Sequence, residues 1–276
     1  MSLMIDVLQF EYMQNALLAG LLTSIICGFM GTLVVVNRVV FLSGGIAHAA
    51  YGGIGLAFFM GWPYLFGTLG FTVIMAAIMA SITLKARHRA DTIIGVVWAL
   101  GMAFGIILLD LTPGYHVDLM SYLFGSILSV PRSEIWVMLV IAICVCGLVL
   151  FFYKHWLALS YDEEFARIRG VPVNTLYFTM IGMLALSIVM VIQVVGLILV
   201  IALLTIPPYI MEKFSKSLLQ MMIGSVLLSI VFTLTGLWLS HLYDLTSGAT
   251  IILVSGIGFI VGSLIEKIFL QRKETI

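Results

Sequence analysis

Long apolar runs, separated by short polar segments, dominate the pattern along this chain. The runs lie near residues 15–36, 41–60, 64–84, 92–110, 134–153, 173–193, 195–211, 218–240 and 249–270. None alternates between apolar and polar positions as a half-buried strand does. A helical run of about 20 residues matches the hydrocarbon thickness of a bilayer. The pattern therefore predicts an all-α polytopic membrane protein.

Two features leave the number of transmembrane helices at eight or nine. Residues 173–211 can form one broken unit, because Gly196 and the Pro207–Pro208 pair interrupt the helical pattern. The stretch 118–130, DLMSYLFGSILSV, is too short to cross a bilayer and is predicted to be a re-entrant or interfacial helix. No linker or low-complexity tract divides the chain, so we expect residues 1–276 to form a single transmembrane domain.

Composition and charge agree with this class. The chain is 62% hydrophobic and 9% charged, whereas a soluble domain carries about 25% charged residues. Membrane lipid is therefore an expected partner. The formal net charge is zero, so nucleic acid is not an expected partner.

Basic residues orient the chain in the membrane. They cluster in four segments: Lys85, Arg87 and Arg89; Lys154, Arg167 and Arg169; Lys213 and Lys216; Lys267, Arg272 and Lys273. By the positive-inside rule these segments face the cytoplasm. The loops at 61–63, 111–117 and 241–248 contain no Lys or Arg and are expected outside. This predicts a multi-pass protein of the cell's inner (plasma) membrane with a cytoplasmic C-terminus.

The stretch FLSGGIAHAAYGGIG, residues 41–55, places one histidine in an apolar helix and surrounds it with small residues. Gly44, His48 and Gly52 are four apart and share one helix face. Small residues let membrane helices approach closely, so a packing stripe is one interpretation. The other is a pathway, because ionisable groups inside a membrane usually mark one. Neutral imidazole also ligates zinc, manganese or iron, which makes His48 a candidate ligand.

A polar segment, LSYDEEFARIRGVP at residues 159–172, is typical of a short capped helix. Ser160 followed by Glu163 is a capping-box pattern, and Gly170 with Pro172 is typical of a helix end. We expect this helix on the cytoplasmic side, either as a solvated connector or as a docking element for a cytoplasmic partner. The candidate docking residues are Ser160, Asp162, Glu163, Glu164, Phe165, Ala166, Arg167 and Gly170.

The outer loops hold weaker candidates for a metal site. DLTPGYHVD contains His116 and Asp118, and SHLYDLTSGAT contains His241 and Asp244. Carboxylate and imidazole groups together suit divalent cations. Ordinary polar loops are the alternative for each of them.

Several segments together resemble the membrane permease subunit of metal-ion ABC importers, the zinc, manganese and iron uptake family. The segments are FLSGGIAHAAYGGIGL at 41–56, YLFGSIL at 122–128, DEEFARIRGVPV at 162–173, VVGLILVIALLTIPP at 194–208 and YDLTSGATIIL at 243–253. Their order and spacing cover nearly the whole chain. The domain predicted above would then be a permease domain.

The resemblance implies a permease homodimer around a central pathway, two cytoplasmic ATPase subunits beneath it and an extracytoplasmic metal-binding protein. The helix at 160–170 would be the coupling helix, and ATP would be hydrolysed on the ATPase chain, so that this chain is a transport subunit and not an enzyme. His48 would line the pathway by the two-fold axis. Zn²⁺ or Mn²⁺ would be the transported substrate, with no permanently bound cofactor.

One position departs from the family's pattern. Many members have an aspartate one helical turn before this histidine, where this chain has Gly44. His48 then remains as the ligand, with Ser43 as a possible helper. Nitrogen ligands without carboxylate favour zinc slightly over manganese. A chelated metal is a further alternative.

Three other functions remain open from the residues alone. An ion-gradient-driven secondary transporter needs carboxylates inside the membrane, and here they lie near span ends, as Asp110 does. An intramembrane metalloenzyme would need a motif such as HExxH, which the sequence lacks. A purely structural membrane subunit is the third.

Overall fold

Residues 10–85, 89–114 and 119–274 are described by the computed structural model, without the side chains of 119–121 and 269–274. Regular structure in these ranges is helical. The helices are α1 (Glu11–Val36), α2 (Val40–Met60), α3 (Tyr64–Lys85), α4 (Ala90–Asp110), α5 (Leu119–Phe124), α6 (Arg132–Phe151), α7 (Tyr153–Tyr161), α8 (Glu163–Ile168), α9 (Val173–Val195), α10 (Leu197–Phe214), α11 (Leu218–Tyr243) and α12 (Ser247–Glu274). A 3₁₀ turn at Ile127–Ser129 follows α5.

Nine of the helices in the described ranges are long and apolar enough to cross a membrane. They are α1 to α4, α6 and α9 to α12, and they confirm the prediction of an all-α polytopic membrane protein. The segment 173–211 is divided at Gly196, whose φ of +83° separates α9 from α10. Pro207 and Pro208 interrupt nothing, because α10 continues through both to Phe214. Neighbouring helices can compensate the lost backbone bonds of such prolines in a membrane.

The most buried helices are α1, α2 and α9, while α4, α6 and α12 expose most of their surface. Helix α1 packs along α11 through small residues. A Cβ at Gly28 would lie 2.7 Å from the Val226 backbone nitrogen, and the Ser24 and Thr233 hydroxyl oxygens are 3.3 Å apart. Helix α2 packs between α3 and α4 in the same way. Close backbone approach supplies the contacts that hold helices together in lipid.

The predicted re-entrant helix at 118–130 is shorter than expected. Helix α5 ends at Phe124, because Gly125 adopts a φ of +62° and begins a turn. Gly125 and Gly196 are in backbone contact, and Gly248 near the start of α12 contacts the Phe124 carbonyl oxygen. Three of the segments that carry the family resemblance therefore meet at one glycine junction, formed by Gly125, Gly196 and Gly248.

Candidate functional site

His48 lies in α2, and its ring has a defined orientation. Its Nδ1 is 2.8 Å from the Gly44 carbonyl oxygen, one turn earlier. Because a carbonyl oxygen only accepts, Nδ1 of the neutral ring carries the hydrogen and Nε2 keeps its lone pair. A neutral imidazole with a free ring nitrogen is a common metal ligand. His48 can therefore offer Nε2 to a cation.

Trp98 of α4 covers one face of the His48 ring. The two ring centroids are 3.8 Å apart, with 31° between the planes. Phe41 continues the row, 6.1 Å from the Trp98 centroid. Phe41 also lines a cavity of about 510 Å³ at the start of α2. The aromatic row therefore lies between His48 and this cavity.

Gly44, one turn before His48 on the same helix face, has open space at the position of its missing side chain. A Cβ built at Gly44 meets no heavy atom of the described residues within 4 Å. Other glycines of the stretch pack tightly: a Cβ at Gly45 would lie 2.5 Å from Ile94 Cγ2, and one at Gly52 would lie 2.8 Å from the Gly101 carbonyl oxygen. The small residues therefore divide between helix packing and an open space beside the histidine.

Helix α5 contacts the same part of α2. The Tyr122 hydroxyl donates to the Ala47 carbonyl oxygen at 3.1 Å. The Tyr122 ring lies edge-on to that of Tyr51, with centroids 4.8 Å apart. Since Ala47 immediately precedes His48, α5 is attached beside the candidate ligand.

The remaining metal candidates do not form a cluster with His48. No group of three His, Cys, Asp or Glu side chains that could hold a metal occurs among the described residues. Ser43 is buried, and its hydroxyl donates to the Val40 carbonyl oxygen of its own helix at 2.7 Å. His241 and Asp244 are exposed at the end of α11, where Asp244 adopts a left-handed φ of +53°. His116 and Asp118 lie outside the described residues.

The segment at 160–170 is organised differently from the predicted capping box. Asp162 caps α8, because its carboxylate accepts from the Phe165 backbone nitrogen at 2.8 Å. Ser160 lies in the preceding helix α7, where its oxygen accepts from Asn37 Nδ2 at 3.0 Å. The capping role predicted for Ser160 and Glu163 is therefore wrong. The chain is still helical at Ser160, so its hydroxyl does not cap α8.

Helix α8 presents an exposed apolar surface on a rigid base. Ile168 is 84% exposed and Phe165 50%, whereas Ala166 is buried. Arg167 pairs with Glu163 at 2.8 Å and donates to Asn174 Oδ1 at 3.0 Å, which ties α8 to the start of α9. An exposed apolar surface at the end of a short ordered helix is typical of a protein contact.

Gly170 ends this segment as predicted. Its φ of +76° follows Arg169, and the next backbone nitrogen, that of Val171, donates to the Ala166 carbonyl oxygen at 3.0 Å. Glu164 extends the acidic first turn of α8 together with Glu163.

Sequence reasoning missed three residues that the fold places at these sites. Trp98 and Tyr122 are aromatic residues in apolar segments, and neither differs from ordinary apolar filling until α4 and α5 are packed on α2. Asn37 carried a weak signal, because an asparagine between two helical runs is typical of a helix C-terminus. Nothing local indicated its contact with Ser160.

Comparisons with known proteins agree with the resemblance. The family described as ABC 3 transport family matches residues 9–266. An uncharacterized membrane protein, slr2045, of Synechocystis sp. is 49% identical over 94% of this chain and 92% of its own length. The manganese transport system membrane protein MntC of Halalkalibacterium halodurans is 30% identical over 91% of this chain and 86% of its own length.

A solved structure has the same fold. It is PsaBC from Streptococcus pneumoniae in complex with Fab, which superposes with a TM-score of 0.85 at 28% identity. The match covers 94% of this chain and 93% of the other.

Proposed function

The chain belongs to the ABC 3 transport family and is a multi-pass permease of a metal-ion ABC transporter; we propose that it imports a divalent ion, Mn²⁺ or Zn²⁺, into the cytoplasm. The observation that carries this proposal is His48, whose Nε2 keeps its lone pair in a spanning helix beside the open space at Gly44. A bare divalent ion in hydrocarbon is prohibitively costly. One ligand per chain lowers that cost without trapping the ion, since conduction needs weak sites.

Two lines of reasoning bear on the identity of the metal. Relatives such as MntC are named for manganese transport. The imidazole nitrogen of His48, with no carboxylate at Gly44, suits zinc somewhat better. Both ions are therefore tested as substrates. In this proposal the ion passes through the chain and is not retained as a permanently bound cofactor.

The partners follow from the same proposal. A homodimer brings two His48 rings to one pathway, and a metal-binding protein delivers the ion from outside. Two ATPase subunits bind from the cytoplasm, where exposed Phe165 and Ile168 of α8 offer an apolar contact. ATP hydrolysis on those subunits biases the permease between outward-open and inward-open states. This orientation also places the C-terminus in the cytoplasm.

Uptake measurements test the proposal. Cells co-expressing the chain, its ATPase and its binding protein are expected to accumulate Mn²⁺ or Zn²⁺ in an ATPase-dependent manner. His48→Ala should lower uptake at least tenfold at equal membrane expression, because the pathway loses its ligand. His155→Ala, a matched change at an exposed histidine of α7, should leave uptake unchanged.

Each alternative has its own outcome. Uptake that persists with an inactive ATPase and depends on an ion gradient would indicate a secondary transporter. Accumulation only when the metal is supplied with a chelator would indicate a chelated substrate. Equal uptake by wild type and His48→Ala would indicate that residues 41–55 serve only in helix packing.

A further inference from the structure

Asn37 joins two parts of the chain that are far apart in sequence. Its side-chain Nδ2 donates to the Leu33 carbonyl oxygen at 2.8 Å and to Ser160 Oγ at 3.0 Å. An amide nitrogen has two hydrogens, so both can be used at once. The first bond anchors the side chain in the last turn of α1, and the second reaches α7.

The connection from Asn37 to the His48 helix is short and stiff. Residues 37–39 form the whole link between α1 and α2. Their backbone nitrogens donate into the end of α1 at 3.0 Å each. Arg38 has a φ of +57°, an uncommon conformation for a residue with a side chain. Such strained positions persist only where the surrounding structure holds them.

Ser160 is equally close to the helix proposed to dock on the ATPase. It lies two residues before Asp162, which caps α8. A displacement of α8 would therefore be passed to Ser160 through the end of α7.

A cavity of about 510 Å³ lies beside this hydrogen bond, and its walls include residues of both segments that the bond joins. Its lining includes Arg38 and Phe41 as well as Leu159 and Glu163. Side chains across such a space transmit little force by packing. The half-buried hydrogen bond at its edge provides a direct link between the walls.

We infer that Asn37 is a positioning residue through which movement of α8 reaches the His48 helix. This inference rests on the proposed function, because it needs α8 to be the element on which the ATPase acts. The hydrogen bond between Asn37 and Ser160 would bias the permease between its outward-open and inward-open states from the cytoplasmic side. It has no contact with the metal. Loss of this hydrogen bond should lower the coupling between ATP hydrolysis and transport. The metal ligand His48 and the docking surface of α8 should both remain intact.

The test measures metal ions transported per ATP hydrolysed in proteoliposomes that contain the full permease, its ATPase and its binding protein. Ser160→Ala and Asn37→Ala should each lower this ratio about five- to tenfold, within the range of typical coupling between sites. The double variant should be no worse than either single variant, because all three remove the same bond. Ser160→Thr, which keeps the hydroxyl, should retain a ratio near that of wild type.

Ser81→Ala is the control, since the Ser81 hydroxyl donates within its own helix to the Ala77 carbonyl oxygen. An unchanged ratio in Ser160→Ala, or single effects that multiply in the double variant, would overturn the link. If Asn37→Ala does not assemble, the comparison of Ser160→Ala with Ser160→Thr decides. A wild-type complex that transports no metal would instead refute the proposed function itself.

Discussion

The glycine junction offers a direct test of the fold through Gly196→Ala. At Gly196 a Cβ would lie 2.7 Å from the Leu123 carbonyl oxygen and would also contact the backbones of Phe124 and Gly125. These neighbours are backbone atoms, which cannot rotate away as a flexible side chain can. The φ of +83° adds conformational strain for any residue with a Cβ.

Gly170→Ala provides a partial control, because Gly196 also combines its φ of +83° with a ψ of 163°, a region that is essentially limited to glycine. Gly170 also has a positive φ, +76°, but a Cβ there meets no heavy atom within 4 Å. Gly170→Ala should therefore lose only the conformational part, about 1–2 kcal/mol. Gly196→Ala should lose a further ~1–3 kcal/mol of unfolding free energy, from overpacking and from its stricter backbone conformation.

The assay is thermal unfolding of the purified permease in detergent. With about 2–4 °C per kcal/mol for a chain of this size, Gly196→Ala should unfold ~2–12 °C below Gly170→Ala. Gly70→Ala, which meets nothing and has an ordinary helical φ, should behave like wild type. Equal midpoints for Gly196→Ala and Gly170→Ala would refute the close approach of α5 to the α9–α10 boundary.

The remaining predictions concern the metal and the ATPase. Gly44→Asp places a carboxylate in the open space beside His48, so the ratio of Mn²⁺ to Zn²⁺ uptake should rise about tenfold. Gly44→Asn is the uncharged control. An unchanged ratio in Gly44→Asp would contradict the pathway assignment. Ile168→Asp puts a charge on the exposed surface of α8 and should weaken binding of the purified ATPase by about tenfold or more in pull-down titrations. His155→Asp should bind normally, and full affinity in Ile168→Asp would mean that α8 does not dock there.

Much of the architecture could be predicted from local sequence. Transmembrane helices are predicted by comparing the length of an apolar run with the thickness of a bilayer. This comparison needs no knowledge of which helices pack against each other. The end of the segment at Gly170 could also be predicted locally, because a residue of positive φ closes a helix whatever lies beside it. Residues 41–55 were predicted as a candidate site on equally local grounds, since an imidazole among small residues is unusual in any membrane helix.

Contacts between distant segments were beyond the reach of the sequence. Ser160 fits a capping box by spacing, yet α7 continues past it and Asn37, 123 residues earlier, takes its hydroxyl. Asp162 then becomes the cap. A local pattern shows which hydrogen bonds a side chain can make. Which of them forms depends on the residues that the tertiary structure brings next to it.

By itself, the sequence determined a helical membrane permease with one histidine in a small-residue stretch. Only the tertiary structure decided which of those small residues pack and which leave space. Gly44 and Gly45 are chemically identical neighbours, but Ile94 of α4 lies against Gly45, while no described residue comes within 4 Å of a Cβ at Gly44. Successive residues of a helix point about 100° apart, so the arrangement of α3 and α4 around α2 distinguishes them. The open space at Gly44 beside His48 is therefore a property of helix packing.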